Sequence, residues 1–191
     1  MLEPFALAVL LSIAPTPAPP GAVLPPAGLE RLASDVALAA ALGPVPFTGP
    51  AAREGTALIL LVIAEHEGAR FDPRVENCQW VADQGRTVSL FGLMRGASWR
   101  GYSREELCDG GPLPAYLALA AFTNYQERCL PMPMSWFRGY ASGSCSVKSD
   151  AATAMCHRWE LLAKRHGIEG ASCWRANDLT RSLVATASSG A

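Results

Sequence analysis

Charge is scarce in this chain and nearly balanced. Only 17% of its 191 residues are charged, and the net charge is −1. There is no electrostatic case for nucleic acid, and no basic face that would dock an anionic wall or a membrane. Lys and Arg are scattered, apart from Lys164 and Arg165, with His166, late in a predicted helix where they complement the helix dipole. No apolar run approaches the roughly 20 residues of a membrane-spanning helix. No two cysteines stand two or three residues apart, so Cys-x-x-Cys zinc and redox pairs are absent. His-Glu-x-x-His is missing, which argues against a zinc peptidase. Gly-x-Ser-x-Gly is missing too, which weakens a serine hydrolase. His157 and His166 are nine apart and make no metal pair. No internal repeat is visible.

Half of the residues are apolar, enough for a sizeable core in one domain with extensions. Phe5–Ala14, FALAVLLSIA, is an apolar run of ten that reads as the core of an export signal. Ser12-Ile13-Ala14 supplies a small-x-small cleavage site, although Glu3 precedes the run and Pro15 follows it. The alternative is a buried hydrophobic arm. Pro15–Pro26 holds six prolines in twelve residues and reads as an extended linker. Cys78, Cys108, Cys129, Cys145, Cys156 and Cys173 are even in number and read as three disulfides in an oxidising compartment. The alternative is a set of buried thiols. Six cysteines allow 15 connectivities.

Apolar periodicity predicts helices over Leu29–Leu42, from about Thr48 or Pro50 to Gly68, from Pro114 to Arg128, over Met134–Ala141, and from Ser149 or Asp150 to Gly167. Arg70–Trp99 lacks a helical period and reads as a long polar loop or short strand pair, with Thr87–Phe91 the strand candidate. Thr180–Ala191 reads as a loose tail.

The most informative stretch is Leu58–Pro73, LILLVIAEHEGARFDP. The eight-residue apolar run Ala57–Ala64 delivers Glu65, His66 and Glu67 to the end of a buried helix. A carboxyl at the mouth of an apolar helix is costly to ionise, and the resulting upward pKa shift suits general-acid work on a glycosidic bond. The bland alternative is a solvated Glu at a helix end. Residues two apart on a helix point about 200° apart, so Glu65 and Glu67 do not share a cleft. His66 points about 100° from Glu67 and reads as a surface or hydrogen-bonding histidine.

Two later stretches, Ser89–Arg95 (SLFGLMR) and Trp136–Gly143 (WFRGYASG), complete an ordered set with Glu67. Together they resemble the motifs of the lysozyme-like lytic transglycosylases: Glu followed by a small residue and then Phe-x-Pro, then Gly-Leu-Met-Gln, then Tyr-Asn-x-Gly. The resemblance covers Ala57 to Gly143. It implies a mainly α, lysozyme-like domain with a small loop or strand region beside the cleft. It selects Glu67 over Glu65 as the acid. It assigns Gly92, Leu93 and Met94 to the cleft wall, where Gly92 would let sugar approach the backbone. It gives Tyr140 a place near the acid, to orient either the carboxyl or the substrate's N-acetyl group. No metal or organic cofactor is implied. Arg95 stands where the family has Gln, Ala141 where it has Asn, and Gly68 where Ser is usual.

The expected organisation is a signal-like segment and linker over 1–27, a catalytic domain over 28–170 and a tail over 171–191. The expected activity is cleavage of the β-1,4 bond between N-acetylmuramic acid and N-acetylglucosamine in peptidoglycan strands, by an exported protein acting freely or within a secretion or phage apparatus. Asp72, Glu76 and Asp83 are candidates for a second carboxylate, which a two-carboxylate hydrolase would need. A non-catalytic glycan-binding or structural envelope component is the other alternative, favoured by the amides lost at Arg95 and Ala141. A further one is an unrelated secreted, disulfide-bonded helical protein.

Overall fold

A computed structural model of the chain describes residues 2–14, 21–80, 86–94, 101–129, 135–172 and 184–185. The fold is mainly α. The described elements are α1 (Leu2–Ile13), α2 (Pro26–Leu42), α3 (Ala52–Glu67), α4 (Pro73–Glu76), β1 (Thr87–Val88), β2 (Leu93–Met94), α5 (Arg104–Cys108), α6 (Leu113–Arg128), α7 (Ser135–Ser142), α8 (Asp150–Arg165), β3 (Ile168–Glu169) and β4 (Val184–Ala185).

The α3 helix is the axis of the molecule. Every residue from Gly55 to Ala64 is buried, as expected of a helix that is apolar on all sides. It packs against α1, α2 and α8. Its N-cap is Ala51, with no side-chain cap, so Thr48 does not start it. The Arg53 guanidinium instead donates to the carbonyls of Ala40 and Gly43, closing the end of α2 onto the start of α3. Trp159 of α8 donates from Nε1 to the Gly55 carbonyl. An aromatic group of Phe47, Phe122, Trp136, Phe137 and Trp159 joins α6, α7 and α8, with Phe47 stacked on Trp159 at 5.3 Å.

Residues 2–13, read above as part of an export signal, form a helix whose inner face enters the common core. Ala6, Val9 and Leu10 are fully buried against α2 and α3. An apolar run of this length loses the most solvent-exposed area by packing on its neighbours. The export signal's alternative, a buried arm, describes this geometry. Val184–Ala185 pairs antiparallel with Ile168–Glu169, so part of the expected tail is strand.

Two disulfides are defined: Cys78–Cys108 ties the end of α4 to α5, and Cys129–Cys145 ties the end of α6 to the segment after α7. Cys156 is also disulfide-bonded, and no cysteine among the described residues is free. Cys173 lies outside the described residues, as do Asp83 and Arg95. Disulfides of this kind are compatible with an exported protein. Among the described residues no helix is long and apolar enough to cross a membrane.

Candidate active site at the end of the central helix

Glu67 is the last residue of α3, and Gly68 caps the helix through its N–H to the Ala64 carbonyl. The chain then makes an uncommon turn. Ala69, Arg70 and Phe71 all have positive φ, at 48°, 61° and 67°. Each such non-glycine residue costs on the order of 1–2 kcal/mol. The surroundings hold the turn in place. Phe71 is fully buried, its carbonyl accepts from Leu24, and the N–H groups of Arg70 and Asp72 donate to Glu65 and Gly68. Three consecutive non-glycine residues in left-handed backbone therefore follow closely on Glu67.

The second stretch reaches Glu67 through the β1–β2 hairpin, where Thr87 pairs with Met94 and Val88 with Leu93. Ser89, also at positive φ (64°), turns the chain, and Gly92 at φ 61° brings backbone onto the Glu67 side chain. A Cβ at Gly92 would stand 2.7 Å from Glu67 Oε2 and 2.9 Å from its Cγ, closer than any side chain fits. Only glycine allows both this φ and this approach.

The third stretch arrives on α7. The Tyr140 hydroxyl donates to the Phe91 carbonyl at 2.5 Å, next to Gly92. Burial holds its phenol well above the usual range, and the charge of Glu67, then of Tyr125, adds to the shift. Tyr140 therefore stays a neutral O–H donor and pins the turn that covers Glu67. Its hydrogen bond goes to the loop backbone and not to the acid. Residues 67 and 92, far apart in sequence, are in contact, and Tyr140 reaches the same turn at Phe91.

Glu67 opens into a cavity of about 220 Å³ lined by His66, Glu67, Ala69, Val75, Trp80, Thr87, Ser89 and Gly92. Of the expected wall, only Gly92 reaches it. Leu93 has no exposure and belongs to the core, a correction that follows from its inward place opposite Val88. Met94 points outward and does not line the cavity.

Glu65 faces the other way. Its carboxylate accepts two bonds from Arg158 of α8, at 2.7 and 2.8 Å. A larger cavity of about 650 Å³ lies on that side, between the end of α1, α3 and α8. Its ion pair is internally satisfied, and Glu67 is not in its lining. The His66 imidazole separates the two cavities. Burial lowers its pKa, and the Glu65 charge offsets part of that.

Two of the candidate second carboxylates, Asp72 and Glu76, are otherwise engaged; Asp83 lies outside the described residues. Asp72 is buried, caps α4 through Arg74 N–H, and chelates the Arg74 guanidinium at 2.6 to 3.2 Å. That guanidinium holds the Asp72 carboxyl below its usual range. Glu76 pairs with Arg31 at 2.7 Å and lines a separate crevice with Asp35. Among the described residues, no group of three His, Cys, Asp or Glu is placed to hold a metal ion. Trp80, Thr87 and Ser89 line the cavity without having been singled out from the sequence. The polar loop that carries them was the signal, together with the SLFGLMR stretch that Ser89 opens. No family model, curated protein or solved structure matches the chain.

Proposed function

We propose that the protein is a peptidoglycan lytic transglycosylase of lysozyme-like fold, with Glu67 as its single catalytic carboxyl. The observation that carries this reading is the meeting of the three motif stretches around one carboxyl group. Glu67 sits under Gly92, and Tyr140 fixes the turn that holds Gly92 there. Glu67 protonates the glycosidic oxygen as the bond from C1 of N-acetylmuramic acid breaks. The resulting carboxylate then takes the proton of that sugar's own 6-hydroxyl as its oxygen bonds to C1. The product is a 1,6-anhydro ring, and the acid is regenerated. The engagement of Asp72 with Arg74 and of Glu76 with Arg31 supports a one-carboxyl mechanism over a two-carboxylate hydrolase.

The test is digestion of purified peptidoglycan with mass spectrometry of the products. The wild-type chain should release muropeptides ending in 1,6-anhydro-N-acetylmuramic acid, one water lighter than hydrolytic products. Glu67→Gln should lose at least about two orders of magnitude in rate while staying folded. Reducing-end products would replace the transglycosylase with a hydrolase. No product from folded wild-type protein would leave a glycan-binding role in its place.

A further inference from the structure

We propose that Trp80 is a stacking platform for a pyranose ring next to the one held at Glu67. This rests on reading the Glu67 cavity as a glycan site, and it adds a residue that determines binding there.

Trp80 is 51% exposed, unlike the buried Trp136 and Trp159. A large aromatic left in water contributes little to the core, yet this one is held firmly. Its backbone N–H donates to the Arg74 carbonyl at 2.9 Å, which fixes the main chain that carries it. The Arg74 guanidinium lies over the indole, 5.8 Å from its centroid. Arg74 is itself chelated by the buried Asp72. The chain Asp72–Arg74–Trp80 therefore sets the indole, with a guanidinium over it, at the edge of the cavity. A ring already ordered in the free protein loses little entropy when a ligand covers it.

The neighbours supply the rest of the chemistry. Thr87, Ser89 and Glu67 line the same cavity as Trp80. A pyranose has an apolar face of C–H groups and a rim of hydroxyls, and this arrangement sets an apolar ring beside hydroxyl and carboxyl partners. At about 220 Å³ the cavity is smaller than the roughly 300–1,000 Å³ of sites that enclose a drug-sized ligand. It has room for one sugar ring, so the next unit of a glycan strand must lie outside it, where the exposed indole is.

The test is calorimetric binding of chitohexaose to the full chain carrying Glu67→Gln, with and without Trp80→Ala or Trp80→Phe. Covering about 60 Å² of indole predicts roughly tenfold weaker binding for Trp80→Ala. Trp80→Phe should recover most of that loss, and melting temperatures should agree within about 2 °C. In the otherwise native chain, Trp80→Ala should lower kcat/KM on peptidoglycan about tenfold through KM. Unchanged affinity in Trp80→Ala, equal loss in Trp80→Phe, or no binding of chitohexaose by the parent would each overturn the platform. If cleavage still depends on Glu67 in that event, the function above stands without it. If Trp80-dependent binding is found but the wild type cleaves nothing, the platform stands and the catalytic reading falls.

Discussion

Gly92→Ala tests the geometry at Glu67 more sharply than removal of the acid does. At φ 61° an alanine is strained by on the order of 1–2 kcal/mol. Its Cβ would lie 2.7 Å from Glu67 Oε2, where ordinary contact needs about 3.5 Å. The carboxylate must therefore retreat by close to 1 Å, since the neighbouring backbone is pinned by Tyr140. A misplacement of that size costs about 100-fold in rate, whereas the stability loss should lower the melting temperature by only about 2–8 °C. Gly111 provides the control: its φ is 86° but nothing lies within 4 Å of a Cβ placed there. Gly111→Ala should show the strain and keep the activity. Muropeptide release, measured at a temperature where all variants are folded, reads the rate, and calorimetry reads the stability. A double-mutant cycle adds a second check, because Glu67→Ala removes the Oε2 and Cγ contacts, leaving the Cβ at 3.0 Å, and should make Gly92→Ala less destabilising. Gly92→Ala with turnover within about threefold of wild type would refute the claim that the position of Glu67 limits the reaction.

Two further outcomes are expected. Glu65→Gln should cost about 1–3 kcal/mol by leaving the half-buried Arg158 without its carboxylate partner, seen as a lower melting temperature; a folded Glu65→Gln with an unchanged melting temperature and no activity would make Glu65 the acid. Burial, opposed by Arg31 and reinforced by the Glu76 charge, pushes the Asp35 carboxyl up to about 6 from the ordinary 3.8. The folded chain then holds an extra proton between those values, so this group's contribution to stability falls as pH rises from about 4 through 6. Asp35→Asn should be the more stable protein above pH 6, by about 1 kcal/mol after allowing for solvent screening, with the advantage gone below about pH 4. Melting temperatures of the two proteins across pH check this, and a constant difference would refute it.

Local patterns in the chain determined where its helices lie. The apolar run Ala57–Ala64 lies within buried α3, Pro25-Pro26 and Gly43-Pro44 bracket α2, and Ser149 caps α8 as its hydroxyl allows. These are effects of neighbours within a turn or two, and periodicity records them. The capping box of Ser103 and Glu106 on α5 is equally local, a Ser-x-x-Glu within one turn. The placing of Glu67 at a helix end was legible for the same reason. Tertiary structure decided which carboxylates are taken: Glu65 by Arg158, 93 residues away, and Glu76 by Arg31, 45 residues away. It also decided that Leu93 turns inward while Gly92 meets Glu67, that Tyr140 bonds the Phe91 carbonyl, and that α1 packs into the core. No local rule encodes such choices, because each depends on a partner that only the folded chain brings within contact distance.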